Sequence, residues 1–450
     1  MLSPQVIELL GEHIGRNRAL ILSVADTIWS HPETGYREWK TSAYMEGTFR
    51  SLGYHPVTMG NIPGFYADLD TGRPGPTLAV IGELDSILCP SHPQADPVTG
   101  AVHACGHHTQ CANLVGAAAV LREASQELSG KIRFIAAPAE ELIELDFRAQ
   151  LKKDSIIKYF AGKDELMYRG VFDDVDAAIM IHSGLVHNTT LIFTPGMNGL
   201  MAKHITYIGK AAHAGGAPHL GINAIYAASL GLQAVNSIRE TFIEANYTRV
   251  HPIITEGGAA INVIPDTARI ETFVRGASPQ AIVSENKKIN RALAGAALCM
   301  GARIKVDDHL TYMPLENEPG MRALAQEVGV AMLGRGSVGE FDSWSSGTTD
   351  MGNLSCVMPV LQPYAGGGAG TDHGDDYRVA DTEVACIDST RFITGMAYAL
   401  LQNSACALCE IKSGFKPRFQ SREEYFQFLD RFTTSRELIA YLDDGASVVW

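Results

Sequence analysis

The six residues His103-Ala104-Cys105-Gly106-His107-His108 carry one thiol and three imidazoles. Thiolate sulfur and imidazole nitrogen are the donors best suited to borderline-soft transition metals. The spacing Cys105-x-His107 lets one bent loop aim both side chains at a single point. More donors follow far along the chain: Glu140-Glu141 after Pro138-Ala139, then His182, then His373 in Gly370-Thr-Asp-His-Gly-Asp-Asp376. Activating water at a metal requires ligands, an open coordination position and a base beside the water. Cys105, His107, Glu141, His182 and His373 exceed what one tetrahedral ion takes. That excess suggests two divalent ions with one shared ligand, and thiolate Cys105 is the natural bridge. Adjacent side chains on extended backbone point opposite ways, which assigns Glu141 to the metal and Glu140 to proton transfer. Asp85 is a candidate to orient a ligand histidine.

The elements that position these residues read as an open α/β sheet. Residues 3–30 have helical periodicity, ended by His31-Pro-Glu-Thr-Gly35, and a second helix spans 40–52. Buried strands are expected over 77–84, 131–137 and 176–181, with a small-residue helix over 110–128. Asp85, Glu140, Glu141 and His182 then all lie just beyond strand carboxyl ends, where such sheets gather function. After about residue 199 the pattern becomes strand 202–209, helix 222–238, strands 250–254 and 267–274, helix 279–299 and strand 303–306. That β-α-β-β-α-β order is ferredoxin-like. We therefore expect a catalytic domain over 1–198 and 313–450, its last part (404–450) an extra tail, interrupted by an α+β lid domain over 199–312. Helices are expected over 321–333 and 384–401, with a helical, aromatic tail over 418–441.

At 450 residues, two domains are the natural division. The net charge of −14 argues against nucleic acid or an anionic membrane as partner. Residues 1–16 carry Glu8 and Glu12 and do not read as a signal peptide, and no stretch reads as a membrane span. The eight cysteines lack framework spacing, which fits reduced thiols and a cytoplasmic setting. Cys406-x-x-Cys409 reads as helix packing.

Several stretches, in order over roughly residues 20–400, resemble the aminoacylase and carboxypeptidase G-like metallohydrolases, metallopeptidase family 20. They are His31-Pro-Glu-Thr-Gly, Glu83-Leu-Asp85-Ser, His103-Ala-Cys-Gly-His107, Pro138-Ala-Glu-Glu141, 176–182, Gly209-Lys-Ala-Ala-His213-Ala, Gly257-Gly-Ala-Ala-Ile-Asn262-Val-Ile-Pro265 and Thr349-Asp-Met-Gly352. The nearest branch is that of the auxin-conjugate amidohydrolases and aminobenzoyl-glutamate hydrolases. The resemblance implies a dimetal domain with a lid through which the chain forms a homodimer. It implies Cys105, His107, Glu141, His182 and His373 as ligands and Glu140 as general base. It also implies that His213 polarises the scissile carbonyl and that Asn262 faces the substrate. Mn²⁺ or Zn²⁺ are the expected ions, with Ni²⁺ or Co²⁺ as alternatives. The implied reaction is hydrolysis of an amide bond in a small N-acyl amino acid, aryl amide or dipeptide.

The chain departs from the family at several points. His108 stands where relatives carry Asp or Asn, Gln110 replaces a later His, and Leu142-Ile-Glu-Leu-Asp-Phe147 replaces glycines. His103 and His108 are open between supporting a ligand and touching substrate, and His108 is carried as a substrate-binding candidate. The altered surroundings keep two other functions in view: an aminohydrolase releasing ammonia from an amidine, ureido or aromatic C–N bond, and a non-catalytic binding protein on the same fold.

Overall fold

A computed structural model describes residues 2–185, 189–340, 342–442 and 445–449. The chain forms two compact units. The first comprises Met1–Gly196, Glu316–Ser343 and Asn353–Phe419, and the second Met197–Leu315, Trp344–Gly352 and Gln420–Trp450.

The first unit is built on a six-stranded sheet ordered Val57–Thr58, Phe65–Asp70, Lys131–Ala137, Thr77–Glu83, Ala177–Ile179 and Val360–Leu361. The first two pairings are antiparallel and the remaining three parallel, so the sheet is mixed. Thr77–Glu83 is buried at every position, as a central strand covered on both faces must be. Helix Pro4–Trp29 begins at Ser3, whose Oγ accepts from the Val6 N–H, with Pro4 in the first turn.

Helix His107–Glu123 is buried continuously from His107 to Leu121, so it has no polar face. Its small residues permit close approach: a Cβ on Gly116 would lie 2.7 Å from Thr390 Cγ2. Each large apolar side chain buried here, Leu114 or Leu121 for example, contributes about 1.5–3 kcal/mol. The helix starts earlier than the sequence pattern predicts, so the Cys105 loop runs directly into its first turn. The segment after the paired glutamates is also structured, with helices Leu145–Lys153 and Gly162–Tyr168.

Helix Ser389–Gly414 packs the first unit and differs from expectation at its Cys406-x-x-Cys409 end. Together with the π-helical segment Glu383–Asp388 before it, it is long and apolar enough to cross a membrane by length and composition, yet most of it is buried within the protein. Its apolar residues, among them Phe392, Met396 and Leu400, belong to the core of the first unit. Asn403, Ser404 and Ala405 adopt left-handed backbone conformations, and beyond them Cys406 and Cys409 are exposed instead of packed.

The second unit is an antiparallel sheet ordered Arg249–Val250 and Ile253–Glu256, Thr267–Gly276, Gly196–Ile208, Arg303–Tyr312 and Thr434–Glu437. Burial alternates strictly along Thr267–Gly276, and helices Ala224–Ser237 and Pro279–Met300 cover the buried face. Lys203 lies on that face without exposure; its Nζ donates to Asn290 Oδ1 at 2.7 Å and pairs with Asp308. The tail differs from expectation. Only Arg422–Arg431 is helical, and Thr434–Glu437 pairs with the open edge of Arg303–Tyr312. Residues 420–450 therefore belong with the lid fold, while 404–419 belong with the first unit. An unpaired strand edge is a ready template for such addition.

Candidate metal centre

Three strand ends and two loops of the first unit bring the site together. Gly106 has φ +83, and a Cβ there would fall 1.7 Å from Ser183 Oγ, so only glycine lets the Cys105 loop close on the His182 strand. Cys105 Sγ then lies 3.7 Å from His182 Nε2. His182 Nδ1 faces the Ser183 carbonyl at 2.5 Å, which turns Nε2 toward the thiol. His107 Nδ1 faces the Asp85 carbonyl at 3.0 Å and Asp85 Oδ1 at 3.2 Å. This fixes the tautomer and leaves Nε2 as the donor, buried without a hydrogen bond. The other Asp85 oxygen accepts from the Glu141 N–H at 2.7 Å. Asp85 thus braces two candidate ligands at once.

Ligand atoms of Cys105, His107 and His182 lie within 4.8 Å of one another, as do those of Cys105, Glu141 and His373. The two groups meet at Cys105. The His373 N–H donates to the Ala104 carbonyl at 3.0 Å, and His373 Nε2 stands 3.3 Å from Glu141 Oε1. Glu140 Oε2 is 3.9 Å from His107 Nε2. A thiolate, imidazoles and a carboxylate converging, with buried His107 Nε2 unbonded, is a donor set suited to Zn²⁺-class ions.

Charge is concentrated here. Burial pushes the Cys105 thiol up and Glu141 adds to this, but His107 and His182 outweigh both and bring it to about 7. Glu141 raises His373 to about 11 against the effect of burial. Burial opposes charge on His107, yet Cys105 and Glu83 hold it well above the ordinary histidine range.

The loop carrying Glu140 is clamped from behind. Arg148, 1% exposed, donates to the carbonyls of Ile143 (3.0 Å), Ala139 (3.2 Å), Phe160 (2.5 Å) and Glu141. The Ala139 N–H donates to Glu38 Oε1 at 2.7 Å. Sequence reasoning missed Arg148, because a charged residue in a helical run reads as solvated. It also passed over Glu83, fully buried with Oε2 3.2 Å from His107 Nε2. The strand-end criterion that found Asp85 applies equally to Glu83.

His108 is 4% exposed, edge-on to Trp29 at 4.8 Å and near His103 at 5.6 Å between ring centres. It is packed between the Trp29 and His103 rings. His213 and Asn262 lie in the second unit, both exposed. A bridge pairs His213 with Val263, and the Ala214 N–H donates to the Asn262 carbonyl at 2.9 Å. His213 Nδ1 accepts from the N–H groups of Gly215 (3.2 Å) and Gly216 (2.9 Å).

Residues 196–298 match the model of a peptidase dimerisation domain. The chain is 28% identical over 310 residues to one of the subunits of p-aminobenzoyl-glutamate hydrolase from Escherichia coli, covering 65% of this chain and 58% of the relative. It spans 55–58% of the length of that protein and of two other hydrolases it matches. It is 27% identical over 430 residues to human Xaa-Arg dipeptidase, covering 92% and 88% of the two chains. A Bacillus subtilis dinuclear metal-binding peptidase of the M20 family superposes with TM-score 0.61 at 21% identity, over 85% of this chain and 98% of that one. These relationships give residues 196–298 the likeness of a peptidase dimerisation domain and the chain, over most of its length, the fold of an M20-family peptidase.

Proposed function

We propose that the chain is a metal-dependent hydrolase that cleaves the amide bond of an N-acyl amino acid, aryl amide or dipeptide. The observation that carries this reading is the meeting of two donor groups at Cys105, with Glu140 beside them. The residues that would hold divalent ions are Cys105, His107 and His182 in one group and Cys105, Glu141 and His373 in the other. Bound there, such ions supply Lewis acidity, acidifying water and polarising the carbonyl. Glu140 takes the proton of the attacking water on a carboxylate oxygen and passes it to the leaving nitrogen. His213 is the proposed oxyanion donor. Its Nδ1 accepts two backbone N–H groups, which places the ring proton on Nε2, the tautomer a donor needs. Asn262, on the adjoining loop, is the proposed substrate contact.

The dimerisation-domain match supports a homodimer formed through the lid. Eight cysteine thiols support a cytoplasmic setting, which cell fractionation tests. Metal identity is proposed as Mn²⁺ or Zn²⁺. The test is a screen of Zn²⁺- and Mn²⁺-loaded protein against acyl amino acids, aryl amides and dipeptides, with carboxylate and ammonia detected separately. Carboxylate release that stops with chelator and returns with metal is expected. Turnover undiminished in metal-free protein, or ammonia without carboxylate, would overturn the reading.

A further inference from the structure

A third group of donors lies in the first unit. Ligand atoms of Glu83, His107 and Glu140 are within 4.8 Å of one another, all three residues buried. An ion bound there would draw His107 away from Cys105 and His182, and would take Glu140 as a ligand instead of a base. Something must keep this group from competing with the Cys105 groups.

The segment after the paired glutamates provides it. The Gly162 N–H donates to the Ala139 carbonyl at 3.1 Å, and a Cβ on Gly162 would lie 1.6 Å from the Pro138 carbonyl oxygen. Helix Gly162–Tyr168 is thereby seated against the loop that carries Glu140. Its next residue, Lys163, has no exposure, and its Nζ pairs with Glu83 Oε1 at 2.5 Å. The other Glu83 oxygen accepts from Gln110 Nε2 at 2.9 Å. Gln110 sits one helical turn after His107, so both oxygens of Glu83 have protein partners before any ion arrives.

We propose that Lys163 is a positioning residue whose ammonium serves as a built-in counter-ion to Glu83. It keeps a metal ion out of the Glu83–His107–Glu140 group and leaves Glu140 to its proton. A fixed cation on one carboxylate of a three-donor group both repels an incoming divalent ion and occupies a lone pair that the ion needs. The inference rests on the proposed dimetal reading, in which Cys105 is the shared ligand.

The test uses the full chain loaded with Co²⁺, whose thiolate charge-transfer absorption reports Cys105 ligation, with bound metal counted by mass spectrometry. In Lys163→Met the absorption should fall about twofold as one ion leaves the thiolate for carboxylates. On the best substrate kcat should fall by about tenfold or more with KM little changed. Lys163→Gln, which keeps a donor but not the charge, should behave the same way. Adding Glu83→Gln to Lys163→Met should restore the absorption and most of kcat, because an amide oxygen recruits an ion poorly. Wild-type absorption in either single variant, or no recovery in the double variant, overturns the proposal. Loss of the fold in both single variants also overturns it, since Lys163 would then serve the fold alone. The cobalt readings need no substrate. If they behave as expected while no amide is cleaved, the hydrolase reading fails and the role of Lys163 stands.

Discussion

Asp85→Asn is the most informative single change at the centre. The Asp85 carboxylate makes two contacts, Oδ1 with His107 Nδ1 at 3.2 Å and Oδ2 with the Glu141 N–H at 2.7 Å. Asparagine keeps one acceptor oxygen and puts an N–H donor in place of the other. The shorter contact holds the oxygen, so the amide nitrogen faces the His107 Nδ1–H, donor against donor. His107 retains the Asp85 main-chain carbonyl at 3.0 Å, so its tautomer survives. The net change is one charge-assisted hydrogen bond lost, about 1.5–3 kcal/mol. Expressed as affinity for the ion at His107, that is on the order of 10–100-fold, the range found when a carboxylate supporting a metal-bound histidine is removed. Competition against a chromophoric chelator measures it, with circular dichroism to check the fold. Asp85→Ala should cost more, since the Glu141 N–H loses its partner as well. An Asp85→Asn protein that binds its ions within about twofold of wild type would refute the bracing role.

Further outcomes follow from the centre and from the lid. Glu140→Gln should lower turnover by about 10²–10⁴-fold while metal content stays near wild type; full activity would show that the base is another group. Metal loading near neutral pH should release protons, because His373 sits at about 11, His107 is raised, and Cys105 is at about 7, whereas ions bind neutral imidazole and thiolate. Affinity should therefore rise with pH, about tenfold per unit for each proton displaced, and a pH-independent affinity by calorimetry in paired buffers would contradict this. The same raised His373 stabilises the metal-free protein through Glu141, fully below the ordinary histidine range and no longer once pH rises through about 11. In the lid, Lys203→Met strands the buried Asp308 and should cost about 3–5 kcal/mol by denaturant melting; adding Asp308→Leu should recover most of it, and a Lys203→Met cost under about 1 kcal/mol would refute the pairing.

The sequence pattern located the strand ends well because burial and period speak directly there. Thr77–Glu83 and Lys131–Ala137 are apolar runs bounded by turn residues, and Asp85, Glu140, Glu141 and His182 follow from where such runs stop. The donor residues Cys105 and His107 were legible from type and spacing alone. His213 and Asn262 were not, and came only through resemblance, since an exposed histidine on a loop carries no periodic signal. Arg148 and Lys163 were illegible for a different reason. The partners of Arg148 are main-chain carbonyls, which no side-chain pattern marks, that of Lys163 is a carboxylate on a strand far earlier in the chain, and a helix rich in Lys, Asp and Glu ordinarily faces water. The tail was misread because Thr433-Thr434-Ser435 follows a helical run, and its strand exists only where Arg303–Tyr312 offers an edge.

That added strand has a geometric consequence for assembly. Lys305 to Asp308 are paired with Glu437 to Thr434, so the outermost strand on this side of the lid sheet comes from far along the chain. The opposite margin, Ile253–Glu256, is exposed throughout. Thr434–Glu437 is itself an outermost strand with no strand beyond it among the described residues, so the tail moves this margin outward by one strand and does not remove it. The tail thus decides what this margin offers another chain: the four-residue Thr434–Glu437 when it is present, and the longer template of Arg303–Tyr312 in a chain cut before Thr434.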